Sequence, residues 1–121
     1  MDESNLDSGA GLRQSFIEET RLILVGLDSA LCDLTEDPGD LELVDRIFRG
    51  LHTITGSGAM FGFDELAAFT QNIEAAFREI RCGHIQVDSG MIALTRSALS
   101  QIRAMLEEGA EDTPGPYRSR S

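Results

Sequence analysis

The spacing of the apolar residues constrains this chain most. They recur three and four apart in four blocks, and a turn signal closes each of the first three. The first block, roughly 10–35, carries Leu12, Phe16, Ile23, Leu24, Leu27, Leu31 and Leu34 and stops at Asp37-Pro38-Gly39-Asp40. Asp40 is suited to cap a second helix over roughly 41–61, with Glu42 in its first turn and Val44, Ile47, Phe48, Leu51, Ile54 and Phe61 along one side. Gly62-Phe63-Asp64-Glu65 restarts the pattern. Leu66, Phe69, Ile73, Ala76, Phe77 and Ile80 line a third helix to about 82, with Gly83 suited to close it. Asp88 or Ser89 opens a fourth helix to about 108, bearing Leu94, Ala98, Ile102, Met105 and Leu106. No stretch sustains the period of two that a half-buried strand requires.

Four amphipathic helices on short turns predict an all-α, antiparallel, up-and-down four-helix bundle. The expected organisation is a flexible N-terminus over 1–9, the bundle over 10–108, and a disordered linker or tail over 109–121, where Gly, Pro and Ser replace an apolar face. A length of 121 residues gives one domain and is enough for one core without disulfide or metal staples. The formal charge of −11 argues against nucleic acid or an anionic membrane surface as partner. No apolar run approaches the roughly 20 residues of a membrane helix, and the acidic start is not a secretory signal, so a cytoplasmic location is expected. Cys32 and Cys82 lack any CxxC spacing and read as reduced thiols. All ten basic residues are arginine, which excludes lysine chemistry such as a Schiff base.

The second helix is the anomaly. Gly50, Gly56, Gly58 and Gly62 crowd into it, although each glycine inside a helix costs about 0.5–1 kcal/mol against alanine. Close approach by another helix or a partner is the usual reason. On a helical wheel His52 falls roughly 100° from Leu51, at the shoulder of the apolar stripe where a side chain reaches water. Its neighbours toward the C-terminus, Gly56 and Ala59, are tiny. On the third helix Gln71, Glu74 and Arg78 share one face. A carboxylate from that strip, set beside His52, could hold the Nδ1 proton and leave Nε2 as a nucleophile. On spacing alone, a half-exposed histidine beside a solvated polar strip is the simpler reading.

The run His52-Thr53-Ile54-Thr55-Gly56-Ser57-Gly58-Ala59-Met60-Phe61-Gly62-Phe63 resembles the phospho-acceptor motif of histidine phosphotransfer (HPt) domains. It is most similar to that of the N-terminal domain of CheA-type chemotaxis histidine kinases. Ile47 through Leu51 upstream and Leu66 through Phe77 downstream also match, and the resemblance covers roughly residues 10–108. It implies that His52 is phosphorylated on Nε2 and that Glu74 orients the imidazole. It also implies that Gly56 leaves room for the phosphoryl group and partner, and that Gln71 stands where such domains often have a second histidine of the same network. The family usually has lysine where this chain has Thr55. Arg49 or Arg78 are the residues that could supply the missing charge.

The resemblance further implies the phospho-accepting domain of a histidine kinase and not a self-sufficient catalyst. A separate CheA-type kinase domain, in cis or in trans, would deliver phosphate from ATP, and a CheY-like receiver aspartate would take it. No cofactor is expected in this domain; ATP and Mg²⁺ belong to the kinase, and Mg²⁺ also to the regulator. The rival expectation is a degenerate, non-phosphorylated helical module that docks a response regulator. Other residues read more simply: His84 as a loop histidine, Met60, Met91 and Met105 as core or seam, and Phe61 and Phe63 as a plug at the bundle end. Cys82 and His84 have no second ligand pair for zinc. No Ser-His-Asp set or P-loop can be assembled around Ser57 or Thr53.

Overall fold

The break signals fall where the chain turns. The computed structural model describes residues 3–111, with side chains from Gly11 onward, as four helices: α1 (Glu3–Glu36), α2 (Leu41–Met60), α3 (Asp64–Arg81) and α4 (Ser89–Glu111). The Asp40 carboxylate accepts hydrogen bonds from the Glu42 and Leu43 amides and so starts α2. Asp88 does the same for the Met91 amide at the start of α4. Both intervening turns are glycine-closed. Gly62, at φ 85°, lets its own amide bond Ala59 and the Phe63 amide bond Gly58, and Gly83, at φ 83°, does the equivalent with Ile80 and Glu79. These paired bonds satisfy the last carbonyls of α2 and α3, and a side chain at either glycine would be strained.

Cross-helix contacts show antiparallel neighbours around a ring. Asp45 meets Arg81 and His52 meets Glu74 across α2 and α3, while Arg21 meets Glu107 and Asp28 meets Arg103 across α1 and α4. α2 and α3 make the most extensive pairing. One core runs the length of the bundle, including Ile17, Leu24, Leu31, Ile47, Leu51, Ile54, Phe77, Leu99 and Leu106. Gly50 admits α1, because a methyl group there would press into Leu27. Phe16 packs against Phe61 and Phe63 at one end, with ring centroids 5.7 and 4.9 Å away. Arg13 lies over Phe63 at 4.2 Å and donates to the Phe61 carbonyl at 2.6 Å, and so ties α1 to the α2–α3 corner.

Several expectations need correction. The first helix is described from Glu3 and does not start near residue 10. The fourth helix continues through Gly109, Ala110 and Glu111, residues assigned to the tail, because Gly109 fits against the Phe63 ring and Ala110 packs on the core. The rest of that expected tail, 112–121, and residues 1–2 lie outside the described residues. Leu12, Met60 and Leu94 are exposed and not in the core; the stripe that α4 buries is Ile92, Thr95, Leu99, Ile102 and Leu106. Cys32 and Cys82 are both free and exposed. Among the described residues, no helix is long and apolar enough to cross a membrane, and no cluster of metal-ligating side chains occurs.

Candidate functional site

Three residues of α2, one turn apart, and three of α3 build the site. Asp45, Phe48 and His52 come from the first helix, Glu74, Arg78 and Arg81 from the second, and the antiparallel pairing sets them opposite one another. Phe48 is buried in the seam, whereas the His52 side chain, one turn later and rotated toward solvent, is 68% exposed. The Glu74 side chain on α3 is only 3% exposed, with its Oε2 2.6 Å from His52 Nδ1. An ionised carboxylate can only accept, so in the neutral ring the proton sits on Nδ1 and Nε2 carries a lone pair turned away from the bond. Phe48 stacks with the imidazole at 5.9 Å between centroids and 15° between planes, which restricts the ring a second way.

Arginines surround this pair. Arg78 donates to the same Glu74 oxygen at 3.2 Å, and its guanidinium carbon lies 5.5 Å from the centre of the Phe48 ring. Arg81 lies over that ring at 4.1 Å and reaches Asp45 at 3.0 Å. Arg49 bonds Asp45 at 2.6 Å. Hydrogen bonding from Arg49, reinforced by its charge and by Arg81, holds the Asp45 carboxyl below the usual carboxylate range. A strongly acidic chain therefore places three arginines around its exposed histidine, beside the two carboxylates they pair with.

The remaining expected residues divide. Gly56 is exposed, and a methyl group built there would meet nothing within 4 Å, so this glycine opens a clearing one turn beyond His52 and does not serve helix packing. Thr55 is half-buried and its hydroxyl donates to the Leu51 carbonyl at 3.0 Å, a bond inside its own helix. Gln71 is exposed and makes no hydrogen bond with His52 or Glu74, so it does not extend their network. Arg49 is engaged by Asp45, whereas Arg78 reaches His52 through Glu74. Sequence reasoning missed Phe48 as the ring beneath the imidazole, together with Asp45 and Arg81. The signal for Phe48 was its place one turn before His52, but an aromatic in an apolar stripe reads first as core.

The chain belongs to the Hpt domain family, whose model matches residues 11–108. It is similar to chemotaxis protein CheA of Treponema pallidum, with 34% identity over 113 residues that make up 93% of this chain and 14% of the relative. CheA of Borreliella burgdorferi is 34% identical over 91 residues, 75% of this chain and 10% of that protein. The chain thus spans about a tenth to a seventh of the length of these curated relatives. Among solved structures it resembles the CheA phosphotransferase domain from Thermotoga maritima, with a TM-score of 0.77 and 26% identity, covering 81% of this chain and 93% of that one.

Proposed function

We propose that this chain is the phospho-accepting module of a CheA-like histidine kinase, with His52 as acceptor and Glu74 as the group that orients it. The observation that carries this reading is the 2.6 Å bond from His52 Nδ1 to a buried carboxylate, which leaves Nε2 as the nucleophilic nitrogen of an exposed ring. Family membership and the likeness to CheA proteins support it. The Nε2 lone pair attacks the γ-phosphorus of ATP held by a separate kinase domain, in cis or in trans. The N–P bond forms as the bond to ADP breaks. The ring gains positive charge in that step, and the Glu74 carboxylate offsets it. In the second transfer an aspartate oxygen of a CheY-like receiver attacks the phosphorus, and the N–P electrons return to Nε2.

His52 stands on an open helical surface, so both reactions require docking of another protein domain. The clearing at Gly56 and the exposed Ala59 give that partner room. ATP and Mg²⁺ are held by the partners, and no cofactor is assigned to this chain. The reading places the reaction in the cytoplasm, where ATP is available.

A second reading is favoured by Thr55. Its hydroxyl is spent on the Leu51 carbonyl, and a chain without that lysine could be a docking module that is never phosphorylated. Incubation with ATP, Mg²⁺ and a CheA-type kinase domain, followed by intact mass, separates the two. One added acid-labile phosphoryl group, absent from His52→Gln and chased onto a receiver domain, is expected. A folded chain that stays unlabelled with every kinase domain tried supports the docking module instead.

A further inference from the structure

The cation that touches the Glu74–His52 pair comes from α3, one turn after Glu74. Among the described residues, Arg78 is the positively charged side chain bonded to Glu74, and it reaches the same oxygen that holds His52 Nδ1. Arg49 is tied to Asp45, and Arg81 is divided between Asp45 and the Phe48 ring. We propose that Arg78 is a positioning residue for phosphoryl acceptance: it locks the Glu74 carboxylate, and through it the protonated Nδ1 and free Nε2 of His52. The proposal rests on the reading of His52 as acceptor.

Burial makes this coupling necessary. A carboxylate whose side chain is 3% exposed has given up nearly all its water, and one bond from a neutral imidazole is poor compensation for a charge. Arg78 stands one helical turn after Glu74, supplies the compensating charge at 3.2 Å, and remains 49% exposed, so its own desolvation is slight. Its guanidinium is held between the Glu74 carboxylate and the Phe48 ring, and that same ring lies beneath the imidazole. The two groups that orient His52 are thus the two groups Arg78 touches. Without Arg78, the carboxylate gains by rotating toward water and releases Nδ1. The ring then samples the tautomer with the proton on Nε2, which has no lone pair at the attacking nitrogen.

The test uses the whole chain with Arg78→Gln and Arg78→Lys, each checked for an unchanged thermal unfolding midpoint. Ring-nitrogen NMR of His52 at alkaline pH, where imidazoles are neutral, reports the tautomer without any phosphoryl donor. Phosphoramidate, too small to need docking, then reports the intrinsic rate of phosphate uptake. Arg78→Gln is expected to move the ring toward the Nε2–H form and to slow uptake about tenfold, the scale of one charge-assisted hydrogen bond. Arg78→Lys is expected to restore most of both. A wild-type tautomer ratio or a wild-type uptake rate in Arg78→Gln overturns the proposal. If the unaltered chain takes up no phosphate from phosphoramidate or from a CheA-type kinase domain with ATP and Mg²⁺, the acceptor reading fails, and the tautomer shift alone decides the role of Arg78.

Discussion

Oε2 of Glu74 receives two donors, His52 Nδ1 at 2.6 Å and Arg78 at 3.2 Å, so a single buried oxygen joins a neutral ring to a cation. His52, Arg78 and Arg81 converge on that atom or on the Phe48 ring next to it, and the imidazole stays largely exposed. Gly56 belongs to the same arrangement by what it omits. A methyl group there meets nothing within 4 Å, so packing does not require a glycine. Gly56→Ala is expected to stabilise the chain by about 0.5–1 kcal/mol, the ordinary gain in a helix interior. It is also expected to slow phosphotransfer to a receiver domain, because the clearing is narrowed. Urea unfolding and a transfer time course on the same variant check both halves. A faster or equal transfer rate would show that the clearing is not used.

Two contacts of α4, one with α1 and one with the α2–α3 turn, carry predictions at the scale of elements. Arg21 grips Glu107 through two bonds of 2.7 and 2.8 Å across the helices. Hydrogen bonding from Arg21 holds the Glu107 carboxyl below its ordinary value. A carboxyl lowered in the folded state stabilises above its unfolded value, and that contribution fades as pH falls through the lowered one. Glu107→Gln should therefore lower the melting temperature slightly at pH 7, with the difference closing below about pH 4. Melting curves of the two chains at several pH values test the sign. At the other contact, a methyl group on Gly109 would collide with the Phe63 ring. Gly109→Ala is expected to cost about 1–2 kcal/mol net of its helix-propensity gain, measured by urea unfolding.

The same elements show what could be read from the residues alone. The turns at Asp37 through Asp40 and at Gly62 were legible because cap and glycine chemistry is local. The apolar face of α2 was legible because its buried positions, from Leu43 to Gly58, are nearly all hydrophobic. α4 was not, because Thr95 is buried in its stripe, its hydroxyl satisfied by the Met91 carbonyl at 2.8 Å. Leu94, 73% exposed on the rim of a shallow groove between α3 and α4, looks hydrophobic but is not core. Gly109 and Ala110 looked like linker because the Phe63 ring that packs against one and the core that receives the other are distant in sequence. At the site, His52 and Glu74 could be placed by helical phase. The Phe48 stack and the Asp45–Arg81 bridge depend on the registry of two helices, which no local pattern encodes.

At the scale of the whole molecule, the bundle presents the His52 imidazole on an open face of the α2–α3 pair. The chain is acidic overall, with a formal charge of −11, yet arginines gather around His52 on one side of the α2–α3 pair. Exposed charges are screened beyond about 10 Å, so a partner docking beside His52 would meet these arginines and the carboxylates they pair with more than the net charge. The core, the caps and the two glycine turns fix the registry of α2 against α3, and that registry decides which ring nitrogen is free. The most direct test of the account is therefore the bond itself: phosphorus and nitrogen NMR of the phosphorylated chain, to identify the nitrogen that carries phosphorus. The account predicts phosphate on Nε2 of His52 with Nδ1 still protonated against Glu74. Phosphate on Nδ1, or on any residue other than His52, would contradict it.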